Sequence, residues 1–160
     1  MKLFYRKIGQ GKPLIILHGL FGQSDNWNTL AKKLGENGFE VYTLDQRNHG
    51  LSAHSDVWNY KAMSADLFEL ITDNKLHDVI LIGHSMGGKT AMQFAIDHSE
   101  MLEKLIIVDI GPKKYPLQHQ KIIEGLNAGD FNFVKTRKEA EAVLSRYGND
   151  LRTKRFVLKN

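Results

Sequence analysis

The chain has 160 residues, 42% hydrophobic and 25% charged, a balance that supports one packed domain with at most a small appended unit and excludes disorder. It contains no cysteine, which excludes disulfide scaffolds, thiolate zinc sites and cysteine nucleophiles. The net charge of +4 is uneven: residues 1–112 carry 11 Lys/Arg against 13 Asp/Glu, and residues 113–160 carry 11 against 5. With no interleaved aromatics and no nucleic-acid motif, the basic tail reads as a solvated helical surface rather than a nucleic-acid patch.

No apolar run approaches the roughly 20 residues of a spanning helix. Residues 1–7 carry charges where a signal peptide needs its apolar segment, so the expected location is the cytoplasm. Residues 2–8 alternate as a strand does, and Gly9, Gly11 and Pro13 punctuate a turn. Leu14-Ile15-Ile16-Leu17 is a continuous apolar run, as in a strand buried on both faces. Ser24 or Asp25 is expected to cap a helix running to about Glu36, with Trp27, Leu30, Ala31 and Leu34 at helical spacing. A second buried strand over 40–44 precedes an amphipathic helix over 60–73, whose stripe is Met63, Leu67, Leu70 and Ile71. Buried strands over 78–83 and 104–109 enclose a helix over 86–97. This repeated order predicts the α/β class, with a mostly parallel sheet, right-handed crossovers and flanking helices. The run Leu105-Ile106-Ile107-Val108 implies cover on both faces and pairing on both edges. Past Gly111-Pro112 the strand signals stop. Short helices near 117–128, 137–147 and 150–158 are expected, so 1–112 reads as a core and 113–160 as a partial helical cap.

The chemistry concentrates where strands end. Gly83-His84-Ser85-Met86-Gly87 is a G-x-S-x-G run between a strand and a helix, the setting of a nucleophile elbow. Such a turn lifts the Ser85 hydroxyl above the C-terminal edge of the sheet. It also points the Met86 N–H, at a helix N-terminus, toward a developing oxyanion. His18-Gly19-Leu20-Phe21-Gly22 follows the strand over 14–17 and can supply the second oxyanion donor from the Leu20 N–H, with Phe21 next. The same stretch reads equally as a glycine-rich turn around a buried structural His18, and the two readings are compatible. Asp45-Gln46-Arg47-Asn48-His49-Gly50-Leu51-Ser52 suits a hydrogen-bonded turn more than direct catalysis. Asp109 ends a strand on the same rim as Ser85, where it can orient a histidine or simply terminate the strand.

These stretches, in this order, resemble the α/β-hydrolase superfamily. They look closer still to a bacterial esterase branch related to the mammalian abhydrolase-domain proteins. The matching residues are 18–22, 45–52, 83–89 and 108–112, and the tail through Arg155-Phe156-Val157-Leu158-Lys159-Asn160 is similar to that branch's cap. The resemblance implies hydrolysis of carboxylic esters or acyl thioesters without metal or organic cofactor. It implies Ser85 as nucleophile and Asp109 as the acid of a triad.

A serine nucleophile needs a base, and in this superfamily that histidine comes last in chain order. None of His18, His49, His54, His77, His84 and His98 stands at the matching place, and His119 is the remaining candidate for a substitute. The chain therefore reads as the N-terminal portion of a longer esterase, without the last strands of the sheet. Two other readings compete. Residues 83–90 also match the phosphate-cradling G-x-x-x-x-G-K-[ST] loop, with Asp109 as a magnesium-holding acid. Nucleotide binding, however, leaves residues 18–22 and 45–52 unexplained. A catalytically inactive acyl-binding homologue is the other. The cap's Leu117, Ile122, Ile123, Leu126, Phe131 and Phe133 could line an acyl pocket, although helical apolar stripes more often pack as core.

Overall fold

The computed structural model describes residues 1–116, 120–128, 134–145 and 156–158. Two compact units emerge, Met1–Pro112 and Lys113–Asn160.

The first unit holds five strands: β1 (Tyr5–Ile8), β2 (Lys12–Leu17), β3 (Phe39–Leu44), β4 (Val79–His84) and β5 (Leu102–Val108). They form one sheet in the order β1-β3-β2-β4-β5. β2, β3, β4 and β5 run parallel, while β1 pairs antiparallel to β3. The sheet is thus mostly parallel, as the alternating strand and helix signals predict. The first strand is shorter than residues 2–8, and its antiparallel sense follows from the tight turn that joins it to β2.

Three helices flank this sheet: α1 (Asn28–Gly35), α2 (Tyr60–Asp73) and α3 (Met86–Asp97). Alternate residues of the central strands point to opposite faces. On one face Ile15, Leu17, Leu44, Val79 and Leu81 meet Leu67 and Ile71 of α2 and Phe94 of α3. On the other, Leu14, Ile16, Val41, Ile80 and Ile82 meet Ala31 of α1. At roughly 1.5–3 kcal/mol per buried aliphatic side chain, these two layers dominate the stability of the unit.

Two expectations need correction. The helix over 24–36 opens as a 3₁₀ turn, Ser24–Trp27, with Gln23 at its start, where Gln23 N–H donates to Asn26 Oδ1 at 2.7 Å. Ser24 does not cap it: Ser24 is the first residue inside the turn, and its Oγ accepts from Arg6 Nε at 3.3 Å. β5 is also not a buried strand. It is the edge of the sheet, paired with β4 alone among the described residues, and Leu105, Ile106 and Val108 are exposed. Ile106 aligns with Ile82 on the α1 face, but α1 packs over β3, so Ile106 keeps 43% of its surface open.

In the second unit, α4 (Gln120–Ala128) and α5 (Arg137–Ser145) pack together, with Ile122, Ala140 and Leu144 buried and Ile123 exposed. Thr136 and Glu139 form a reciprocal cap at the start of α5. The Glu139 N–H donates to Thr136 Oγ1 at 3.3 Å, and the Thr136 N–H donates to Glu139 Oε2 at 3.2 Å. The helix expected near 150–158 lies largely outside the described residues, as do Leu117, His119, Phe131 and Phe133.

Candidate active site

Four parallel strands end on one rim, and each is followed by a non-glycine residue at positive φ. Phe21 (60°) follows β2, Asn48 (65°) follows β3, Ser85 (50°) follows β4 and Asp109 (56°) follows β5. Such conformations cost about 1–3 kcal/mol each and persist only where surrounding structure imposes them. Only two other non-glycine residues share the conformation among the described residues, Lys75 and Asp78, and both precede β4.

The elbow is imposed by close packing. Ser85 sits between β4 and α3 at φ 50°, ψ −114°. Gly83 and Gly87 make the turn possible. A Cβ on Gly83 would lie 2.4 Å from the Gly87 carbonyl oxygen, and one on Gly87 would lie 2.5 Å from the Leu17 carbonyl oxygen. The backbone is pinned on both sides: Ser85 N–H donates to the Val108 carbonyl at 3.0 Å, and Gly87 N–H to the His18 carbonyl at 3.1 Å. The Ser85 hydroxyl has no hydrogen-bond partner among the described residues.

The loop after β2 is built around His18. The backbone N–H of Gln46 donates to His18 Nε2 at 3.0 Å, so the ring proton lies on Nδ1, which donates to the Gly19 carbonyl at 2.8 Å. Burial drives the imidazole pKa down to about 4. His18 is therefore neutral, with both nitrogens committed to shaping the loop. The Gly19 carbonyl also accepts from Gly22 N–H at 2.9 Å. Neither Leu20 N–H nor Met86 N–H donates to a backbone acceptor among the described residues.

The segment 45–52 is a structural turn, as its composition suggests. The buried Asp45 carboxylate accepts from Ser24 N–H at 2.6 Å and Leu51 N–H at 2.8 Å. Gly50, at φ 55°, is required there because a Cβ would meet Asp45 Oδ2 at 2.2 Å. Arg47 makes a two-pronged pair with Asp66 of α2, Nε to Oδ2 at 2.7 Å and Nη2 to Oδ1 at 2.8 Å. The sequence analysis missed this brace. Its signal is Asp66 itself, a carboxylate inside the apolar stripe of α2.

Asp109 stands on the same rim with its carboxylate 85% exposed. Among the described residues the nearest imidazole is that of His84, whose Nε2 lies 3.9 Å from Asp109 Oδ2, too long for a hydrogen bond. The His84 ring also lies edge-on to Trp27 and beside Gly19, where an added Cβ would stand 2.9 Å from Nδ1. Three further described histidines, His49, His77 and His98, are engaged or remote. His49 is buried, which lowers its pKa, and its Nδ1 donates to the Arg47 carbonyl at 2.9 Å. His98 stacks on Phe68 past the far end of α3, and His77 precedes β4.

The phosphate-loop reading of 83–90 fails on this geometry. The Lys89 ammonium donates to the Gly111 carbonyl at 2.8 Å. The Thr90 hydroxyl is buried and donates to the Met86 carbonyl at 3.3 Å. The N–H groups of Ser85, Gly87 and Lys89 are spent on Val108, His18 and Ser85 carbonyls, so they cannot cradle phosphate.

A family model described as the alpha/beta hydrolase fold matches residues 12–146. The chain belongs to the α/β-hydrolase family. Among its relatives is the Xenopus laevis protein named sn-1-specific diacylglycerol lipase ABHD11, 48% identical over 103 residues, covering 64% of this chain and 33% of the relative. Another is the Escherichia coli esterase YbfF, 36% identical over 149 residues, covering 92% of this chain and 58% of the relative. A solved marine microorganism esterase superposes with a TM-score of 0.95 at 48% identity, covering all of this chain and 64% of that one. This α/β-hydrolase chain thus spans a third to three-fifths of the length of these curated relatives. The likeness is to proteins named as esterases and lipases. No helix among the described residues is long and apolar enough to cross a membrane.

Proposed function

We propose that this chain carries the nucleophile, the oxyanion donors and the acid of a serine esterase that cleaves carboxylic esters or acyl thioesters through an acyl-enzyme. Ser85 Oγ attacks the acyl carbonyl while its proton passes to a histidine. The alcohol or thiol leaves with that proton, and water then releases the acid and restores the serine. The N–H groups of Met86 and Leu20 hold the oxyanion, and Asp109 orients the histidine. The base in this reading is a histidine that comes last in chain order, after Asp109, as the superfamily resemblance implies, and residues 113–160 form part of a cap.

One observation carries this reading: the strained Ser85, raised between β4 and α3 with its hydroxyl unengaged. The strain has no packing purpose, because a glycine would satisfy the same turn. Esterase and lipase relatives support the same chemistry.

The test is labelling of the full-length protein with a serine-directed fluorophosphonate, followed by peptide mapping. Labelling of Ser85, abolished in Ser85→Ala together with p-nitrophenyl ester hydrolysis, is the expected result. A Ser85→Ala protein that still hydrolyses the ester would refute the mechanism. Acyl-ligand binding without any labelling would favour the inactive acyl-binding homologue.

A further inference from the structure

Asp109 sits at φ 56°, and its carboxylate makes no hydrogen bond to the described residues. A strained residue needs its flanks fixed. They are fixed by the elbow and by the first turn of α3. Ser85 N–H donates to the Val108 carbonyl at 3.0 Å. Gly88 lies so near that an added Cβ would stand 2.4 Å from Ile110 Cγ2. The Lys89 ammonium donates to the Gly111 carbonyl at 2.8 Å. These grips fall on 108, 110 and 111, on both sides of Asp109. The first is backbone to backbone and the second is a packing contact. The third is charge-assisted, and such bonds are roughly twice as strong as neutral ones.

We infer that Lys89 is a positioning residue for Asp109: by holding the Gly111 carbonyl it locks the acid-bearing turn to the helix that carries the nucleophile, and so fixes the carboxylate relative to Ser85. The inference rests on the reading of Asp109 as the triad acid. It gives a role to the lysine that the phosphate-loop motif singled out. Lys89 touches neither substrate nor the reacting atoms, and acts through the turn.

Two measurements on the full-length protein test it. The first is independent of activity. In amide ¹H–¹⁵N spectra, Lys89→Met should move or broaden the resonances of Asp109, Ile110 and Gly111 and leave those of β3 in place. Lys89→Arg, which keeps a cationic donor, should return them toward the parent positions. Unmoved 109–111 resonances in Lys89→Met would overturn the inference. The second is a double-mutant cycle on ester hydrolysis. Lys89→Met should lower kcat by about tenfold or more with KM little changed, and should cause no further loss in an Asp109→Asn background. Equal losses in both backgrounds would mark Lys89 as merely structural and overturn the inference. If Lys89→Met does not fold, Lys89→Gln, which keeps a neutral donor, is read by the same two measures. A Lys89-dependent shift of 109–111 in a protein whose Ser85 never reacts would sink the esterase reading and leave the coupling standing.

Discussion

The closeness of α3 to the end of β2 makes Gly87→Ala the sharpest test of how the elbow is built. Gly87 has no positive φ, so alanine there meets no backbone strain and the effect is purely steric. Its methyl would stand 2.5 Å from the Leu17 carbonyl oxygen and 2.6 Å from that of His18, where ordinary contact begins near 3.4 Å. Both obstacles are backbone carbonyls of buried residues, at the end of β2 and just after it, and cannot rotate away. Helix α3 must retreat by roughly an ångström, and overpacking of this kind costs about 1–3 kcal/mol. The retreat also stretches the Gly87 N–H bond to the His18 carbonyl, now 3.1 Å, beyond hydrogen-bonding range, a loss of about 0.5–1.5 kcal/mol. A total of about 2–4 kcal/mol is a large share of a typical domain's 5–15 kcal/mol. Gly38→Ala is the matched control. Gly38 has φ 84° but open space around its Cβ position, so it pays only the left-handed strain of about 1 kcal/mol. Urea unfolding should give midpoints that fall in the order parent, Gly38→Ala, Gly87→Ala, with unchanged m-values. A Gly87→Ala protein as stable as Gly38→Ala would refute the steric account of the elbow.

Two further outcomes follow from buried charge. Asp66→Asn leaves the buried Arg47 guanidinium without its carboxylate, at a cost of about 3–5 kcal/mol; calorimetric unfolding that shows less than about 1 kcal/mol would mean the brace is dispensable. His18 should make stability fall with acid. Its folded pKa, about 4, lies below the unfolded value of 6.5, so from pH 6.5 downward the unfolded chain takes up the proton first and is favoured. The loss accumulates between pH 6.5 and 4, reaches roughly 3 kcal/mol and then levels. His18→Asn should flatten this part of the stability–pH curve, and an unchanged slope would show that His18 is not buried and neutral. His49, also pushed down by burial, adds a smaller contribution of the same sign.

What could be read from the sequence was what local chemistry decides. The apolar runs of β2 and β4 and the glycines around Ser85 each constrain a few adjacent residues, and the strand-turn-helix context of residues 79–97 follows from them. What could not be read depends on distant partners. Leu105-Ile106-Ile107-Val108 has the composition of a buried strand, but exposure is set by neighbours, and β5 has one strand beside it. Ser24 suits a helix cap by residue type, yet its hydroxyl oxygen accepts from Arg6, 18 residues earlier, and Gln23 takes the cap position. Arg47 and Asp66 are 19 residues apart and meet only because α2 folds back across the turn after β3.

The distribution of strain along the rim explains why the acid turn differs from the rest. β2 and β4 are flanked by strands on both edges and covered on both faces, so the loops that carry Leu20 and Ser85 inherit a rigid base. β3 is likewise flanked by β1 and β2, and the turn after it is held further by the Asp45 hydrogen bonds and the Arg47–Asp66 pair. The Asp109 carboxylate makes no hydrogen bond to the described residues and is open to solvent. An acid must be held to within a fraction of an ångström to orient a histidine, because small misplacements cost large factors in rate. In the proposed triad, Ser85, Gly88 and Lys89 contribute that precision through their contacts to residues 108, 110 and 111. Under that proposal, the nucleophile Ser85 and the acid Asp109 share one mechanical unit built on the first turn of α3, rather than being two residues that happen to share a rim.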